Sequence, residues 1–118
     1  AQRVETPGLN LMYGPGNDLV SATNLAAAGA QIVIFTTGRG TPFGCPVPTI
    51  KVSTNNALYA FKKNWIDFNA GTVAEGEEIG HAGKCLLDKV LSVASGEQTV
   101  GEKHGYRGIA IFKDGVTL

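Results

Sequence analysis

The apolar run Ile32-Val33-Ile34-Phe35 breaks directly into Thr36-Thr37-Gly38-Arg39-Gly40-Thr41-Pro42-Phe43-Gly44. This junction constrains the fold more than any other stretch of the chain. A run without alternation suits a strand covered on both faces, as in a parallel sheet. The loop then leaves at the carboxyl end of that strand, where open α/β sheets hold their ligands. Glycines let the backbone approach a ligand closely or take positive φ. Thr36, Thr37 and Thr41 bring hydroxyls, and Arg39 brings a forked cation matched to a carboxylate or phosphate. The stretch reads as an anion-holding loop. The plainer alternative is a glycine-rich crossover whose threonines close backbone hydrogen bonds.

The elements around the loop alternate in type. Leu9–Tyr13 is a short strand candidate, and Asn17 or Asp18 offers an N-cap for a helix over Asp18–Ala28 that Gly29 stops. With a strand at Gln31–Phe35, this makes a βαβ unit. Pro46-Val47-Pro48 forbids helix and feeds a strand at Thr49–Ser53. A helix near Ala57–Lys63 and a fourth strand at Trp65–Phe68 follow. A long helix over Glu77–Ala94 carries an apolar stripe of Ile79, Leu86, Leu87, Val90, Leu91 and Ala94. The tail is polar until Ile109-Ala110-Ile111-Phe112, which suits a late strand or an extended arm. The sum is one α/β domain over 1–118. Its expected form is three-layer and Rossmann-like, with a mostly parallel sheet of four to five strands and helices on both faces.

Length and charge exclude several classes. The 118 residues suffice for one core without staples. Ten basic residues balance ten acidic ones, so no global field favours nucleic acid or an acidic membrane. No apolar run approaches the roughly 20 residues that span a bilayer. Cys45 and Cys85 match no zinc-ligand spacing and read as reduced thiols of a cytoplasmic protein. The chain starts at Ala1 without an initiator methionine, which is read as residues removed ahead of it.

Polar residues gather where the strands end. Gly14-Pro15-Gly16-Asn17-Asp18 is either an anion-receptive helix terminus or an ordinary cap. Its glycine spacing fits neither a dinucleotide nor a phosphate-loop motif. Lys51, Ser53, Thr54, Asn55 and Asn56 follow the third strand, and Asp67 and Asn69 the fourth. In a parallel sheet these groups share one rim with the arginine loop. Lys51 faces either the site or solvent, since pleat direction is open from sequence. His81 and His104 lack HxxxH or HExxH partners and read as solvated surface residues. No metal site is expected within the chain. The set looks like half an active site: anion holders without an obvious acid–base group.

The motifs Gly14–Asp18, Phe35–Gly44, Val47–Lys51 and Trp65–Gly71 resemble the carboxy-terminal domain of the altronate and galactarate dehydratases. The ending Ile111–Leu118 is similar to the carboxyl terminus of those enzymes, and the resemblance runs from about Gly8 to Leu118. It implies a piece of a longer enzyme that removes water from altronate or galactarate to give a 2-keto-3-deoxy sugar acid. A sulfolactate sulfo-lyase branch is related.

The resemblance further implies upstream domains of the same polypeptide and a divalent metal, usually iron, with the general base and most of the metal ligands upstream of Ala1 and no metal bound by this fragment alone. A homo-oligomer is left open, as is the choice between altronate and galactarate. Under this reading Arg39 takes the substrate carboxylate, and Gly38 and Gly40 frame it. Thr36, Thr37, Thr41 and Asn55 contact hydroxyls or order the loop. Asn17 and Asn69 complete the substrate-binding set, and Lys51 is the local proton carrier. The alternative is a non-catalytic domain used for assembly or for binding a small anion.

Overall fold

In the computed structural model, residues 2–111 are described. The elements are α1 (Asp18–Ala28), β1 (Val33–Thr37), β2 (Thr49–Ser53), α2 (Asn56–Phe61), β3 (Phe68–Asn69), α3 (Gly71–Ala74), α4 (Ile79–Ala94) and α5 (Val100–Lys103). The sheet has three parallel strands in the order β1-β2-β3. Central β2 is buried along its whole length. Its β-branched residues explain both its strand character and its position.

Successive β2 side chains serve opposite faces. Ile50 and Val52 join Val93, Leu86 and Val90 of α4 in one apolar cluster. On the other face Val33 packs with Cys45 and Ala22 of α1. The Asn17 side chain caps α1 by accepting from the Val20 amide at 3.2 Å. At its far end the amide of C-cap Gly29 donates back to Ala26 and Leu25.

Two expected strands come out differently, and the tail takes one of its two expected forms. Leu9–Tyr13 forms no strand, and Leu9, Leu11 and Tyr13 stand almost fully exposed. A strand is stabilised by a ladder partner and a buried face, and this segment has neither among the described residues. Asn10 instead closes a local turn onto the Thr6 and Gly8 carbonyls, each at 3.0 Å. The βαβ unit expected around α1 is therefore absent from the described residues.

The strand expected at Trp65–Phe68 shrinks to Phe68–Asn69. The Asp67 carboxylate accepts from the Lys51 amide at 2.9 Å and from the Val100 amide at 2.7 Å. The Asp67 amide still donates to the Lys51 carbonyl at 2.9 Å, so the side chain replaces only the partner of the Lys51 amide. Of the two forms expected for the tail, Ile109–Ile111 takes the extended arm. The Gly108 amide donates to the Gly44 carbonyl at 2.8 Å and the Ala110 amide to Thr23 Oγ1 at 3.0 Å. Phe112 and the rest of the expected carboxy-terminal motif lie outside the described residues. Among the described residues the sheet has three strands where four to five were expected, and a Rossmann-like order does not follow from it.

The stripe expected on the long helix also divides. Ala82 and Val93 are buried and Leu86 and Val90 pack on the sheet cluster, while Ile79, Leu87, Leu91 and Ala94 face outward.

Gly71 shows how tightly the strand ends are packed. A Cβ there would collide with the backbone of Asn55 and Asn56. Gly71→Ala is expected to destabilise the chain by about 1–3 kcal/mol, as overpacking of a filled interior does. The expected reading is a lower urea midpoint at unchanged m.

Candidate functional site

The carboxyl ends of the three strands lie in one row, with Thr37 in register with Ser53 and Ser53 with Asn69. The rim expected from the sequence is therefore present. The loop after β1 is pinned to it through its own carbonyls. Asn55 Nδ2 donates to the Gly38 carbonyl at 3.0 Å, Lys62 Nζ to that of Arg39 at 2.9 Å, and Lys51 Nζ to that of Thr41 at 2.8 Å. Thr37 Oγ1 accepts from the Gly40 amide at 2.9 Å. Two of these donors are cations, so the negative ends of the loop dipoles are offset where an incoming anion would meet them.

Arg39 is exposed. Among the described residues its guanidinium makes no ion pair, and only its backbone carbonyl is engaged. Gly40 beside it adopts φ +77, and a Cβ there would meet Leu58 Cδ1 at 2.9 Å. The small residue lets the turn lie against α2 while the arginine projects from it.

Lys51 lies inside. It is fully buried, on the same face as its register partner Phe35. Its ammonium lies 5.8 Å from the ring centres of Phe43 and of Tyr106. Burial lowers its pKa, and the Asp67 carboxylate opposes part of that shift. Between the lowered folded value and the ordinary 10.5, the unfolded chain binds more protons than the folded one, so stability rises with pH. The unfolding free energy of wild type relative to Lys51→Met is accordingly expected to increase through the alkaline range towards that value. A difference independent of pH would contradict a charge held in the interior.

The other expected residues divide into groups. Asn55 also caps α2, accepting from the Leu58 amide at 2.8 Å. Asn69 donates to Asn56 Oδ1 at 2.7 Å and accepts from the Gly71 amide at 3.0 Å. Asn17 and Thr41 line a small cavity of about 220 Å³ with Asp18, Leu19 and Phe43. Thr36 alternates to the opposite face from Thr37, away from Lys51. Sequence reasoning missed Lys62, held 4.4 Å over the Trp65 ring while it grips the Arg39 carbonyl. It also missed Tyr106 over Lys51. Neither residue carries a motif, and each reaches the site only through long-range packing.

Among the described residues no three His, Cys, Asp or Glu side chains converge on a point that would hold a metal ion. Cys45 and Cys85 are both free thiols. No helix among the described residues is long and apolar enough to cross a membrane.

Fold and rim together define a small α/β domain that presents an exposed cation where parallel strands end. The chain belongs to the D-galactarate/altronate dehydratase family, whose carboxy-terminal model (D-galactarate/Altronate dehydratase, C-terminal) matches residues 1–117. It is 49% identical to altronate dehydratase of Escherichia coli (strain K12), over 99% of this chain and 24% of that protein. It is 52% identical to altronate dehydratase of Bacillus subtilis (strain 168), over 98% of this chain and 23% of that one. Galactarate dehydratase (L-threo-forming) of Escherichia coli (strain K12) is 40% identical over 94% of this chain and 22% of its own length. The chain thus spans about a quarter of the length of these relatives.

Proposed function

We propose that this chain is the carboxy-terminal domain of a larger cytoplasmic hydro-lyase that dehydrates altronate or galactarate to a 2-keto-3-deoxy sugar acid. Its part is to hold a substrate carboxylate on the loop after β1. The observation that carries this reading is Arg39: an exposed guanidinium without an ion pair among the described residues, on a loop whose carbonyls are tied to Asn55, Lys62 and Lys51. Membership of the family supplies the reaction class, and the two free thiols suit a reducing compartment.

Dehydration of a 2,3-dihydroxy acid removes the C2 proton beside the carboxylate and the C3 hydroxyl. The resulting enol then tautomerises to the 2-ketone. Proton removal loads negative charge onto the carboxylate oxygens, and a guanidinium aimed at them favours that transition state over the ground state. Arg39 fills this role. Thr37 and Asn55 order the loop, Thr41 and Asn17 contact sugar hydroxyls from the small cavity, and Thr36 and Asn69 bound the rim. Lys51 exchanges a proton only when the Thr41 carbonyl moves away; otherwise it anchors the loop. The general base and most ligands of the divalent metal, iron by family resemblance, are assigned to upstream domains. No step assigned to this chain passes through the metal.

Calorimetry on the 118-residue chain tests the reading. Altronate or galactarate is expected to bind the chain and to lose that binding in Arg39→Ala, with no dehydration observed. Binding confined to phosphate or citrate would instead support a small-anion module.

A further inference from the structure

Lys62 has no part in the reaction as described above, yet it is bonded to Arg39 itself. It ends α2, where its amide donates to the Leu58 carbonyl at 2.8 Å, and the Trp65 amide donates to the Lys62 carbonyl at 2.9 Å. That turn folds the indole under the ammonium, which lies 4.4 Å from the ring centre. The pull of a ring face on a cation holds the long side chain in one direction. Lys62 makes no ion pair among the described residues; its Nζ donates to the Arg39 carbonyl at 2.9 Å.

The peptide between Arg39 and Gly40 is thereby pinned at both polar ends. Its carbonyl accepts from Lys62, and its N–H donates to Thr37 Oγ1 at 2.9 Å. Gly40 gives this peptide unusual freedom, since a glycine at φ +77 reaches other backbone states at little cost. The same glycine rests on the clamp: a Cβ there would meet Lys62 Cδ at 3.2 Å and Trp65 Cε3 at 3.7 Å. Asn55 and Lys51 hold the carbonyls of Gly38 and Thr41, on neighbouring peptides, and leave this plane to Thr37 and Lys62. We propose that Lys62, braced by Trp65, is a positioning residue that fixes the backbone from which the Arg39 guanidinium projects. The proposal rests on the reading of Arg39 as the carboxylate holder. A guanidinium aimed in advance needs no reordering as charge grows on the substrate, so the clamp acts on the transition state through Arg39.

Steady-state kinetics on the longer enzyme, with altronate and galactarate as substrates, test the proposal through a double-mutant cycle. Lys62→Met keeps an unbranched apolar stem beside Gly40 and loses the donor. It is expected to lower kcat/KM by about three- to tenfold, the effect of one hydrogen bond, and mostly through kcat. Lys62→Arg can donate to the same carbonyl and stack on the same ring, so it is expected to recover most of the loss. In an Arg39→Ala background Lys62→Met should cause no further loss, because a positioning residue acts only through the group that it positions. Circular dichroism of each variant should match wild type. A loss in Arg39→Ala beside wild-type kinetics in Lys62→Met would overturn the proposal and leave the carboxylate reading standing. Losses that add in the double variant would also overturn it, since Lys62 would then act on substrate directly or on the fold. An unchanged kcat/KM in Arg39→Ala would remove the carboxylate reading, and the positioning role with it.

Discussion

Replacing Arg39 by alanine in the longer enzyme is expected to lower kcat/KM for its sugar acid by about ten- to a hundredfold. One hydrogen bond to a charged group contributes about 1.5–3 kcal/mol. Because charge on the carboxylate grows as the neighbouring proton leaves, a larger share of the loss should fall on kcat than on KM. Arg39→Lys keeps the charge but loses the fork, so it should recover only part of the activity. The fold should be unaffected, because the guanidinium supports no described contact and the loop is held by its carbonyls. An unchanged kcat/KM in Arg39→Ala would remove the loop from catalysis.

The second large effect concerns Asp67. Its carboxylate joins β2 to α5 through the Lys51 and Val100 amides, at 2.9 and 2.7 Å. Asn at this position keeps one acceptor and turns an NH₂ towards the other amide. One charge-assisted bond is lost and a backbone donor is left without a partner, so Asp67→Asn is expected to cost about 3 kcal/mol. The substitution also removes the carboxylate that opposes the burial shift on Lys51. The Lys51 pKa should therefore fall further in the variant. Urea unfolding gives the first quantity and titration of the lysine amine the second.

Much of this was legible where the determinants are local. Asn17, the apolar spacing of α1 and Gly29 delimit Asp18–Ala28 without help from tertiary structure, and Pro48 with the β-branched residues delimits Thr49–Ser53. The rim followed from those strands, because parallel neighbours end on the same side.

What escaped was long-range. Leu9–Tyr13 has the composition of a strand, but a strand exists only against a partner edge. On α4 the residues at 79, 83, 87 and 91 lie beside those at 82, 86, 90 and 93, and periodicity does not say which set meets the sheet. Lys51 reads equally well as a surface lysine. Only the pairing of Phe35 with Lys51 and the cover of Phe43 and Tyr106 place it inside.

A structure of the longer enzyme with altronate or galactarate bound would measure the decisive distance. The guanidinium nitrogens at position 39 are expected to lie about 2.7–2.9 Å from both oxygens of one substrate carboxylate. Substrate seated elsewhere, with that side chain still pointing into bulk water, would contradict the assignment outright.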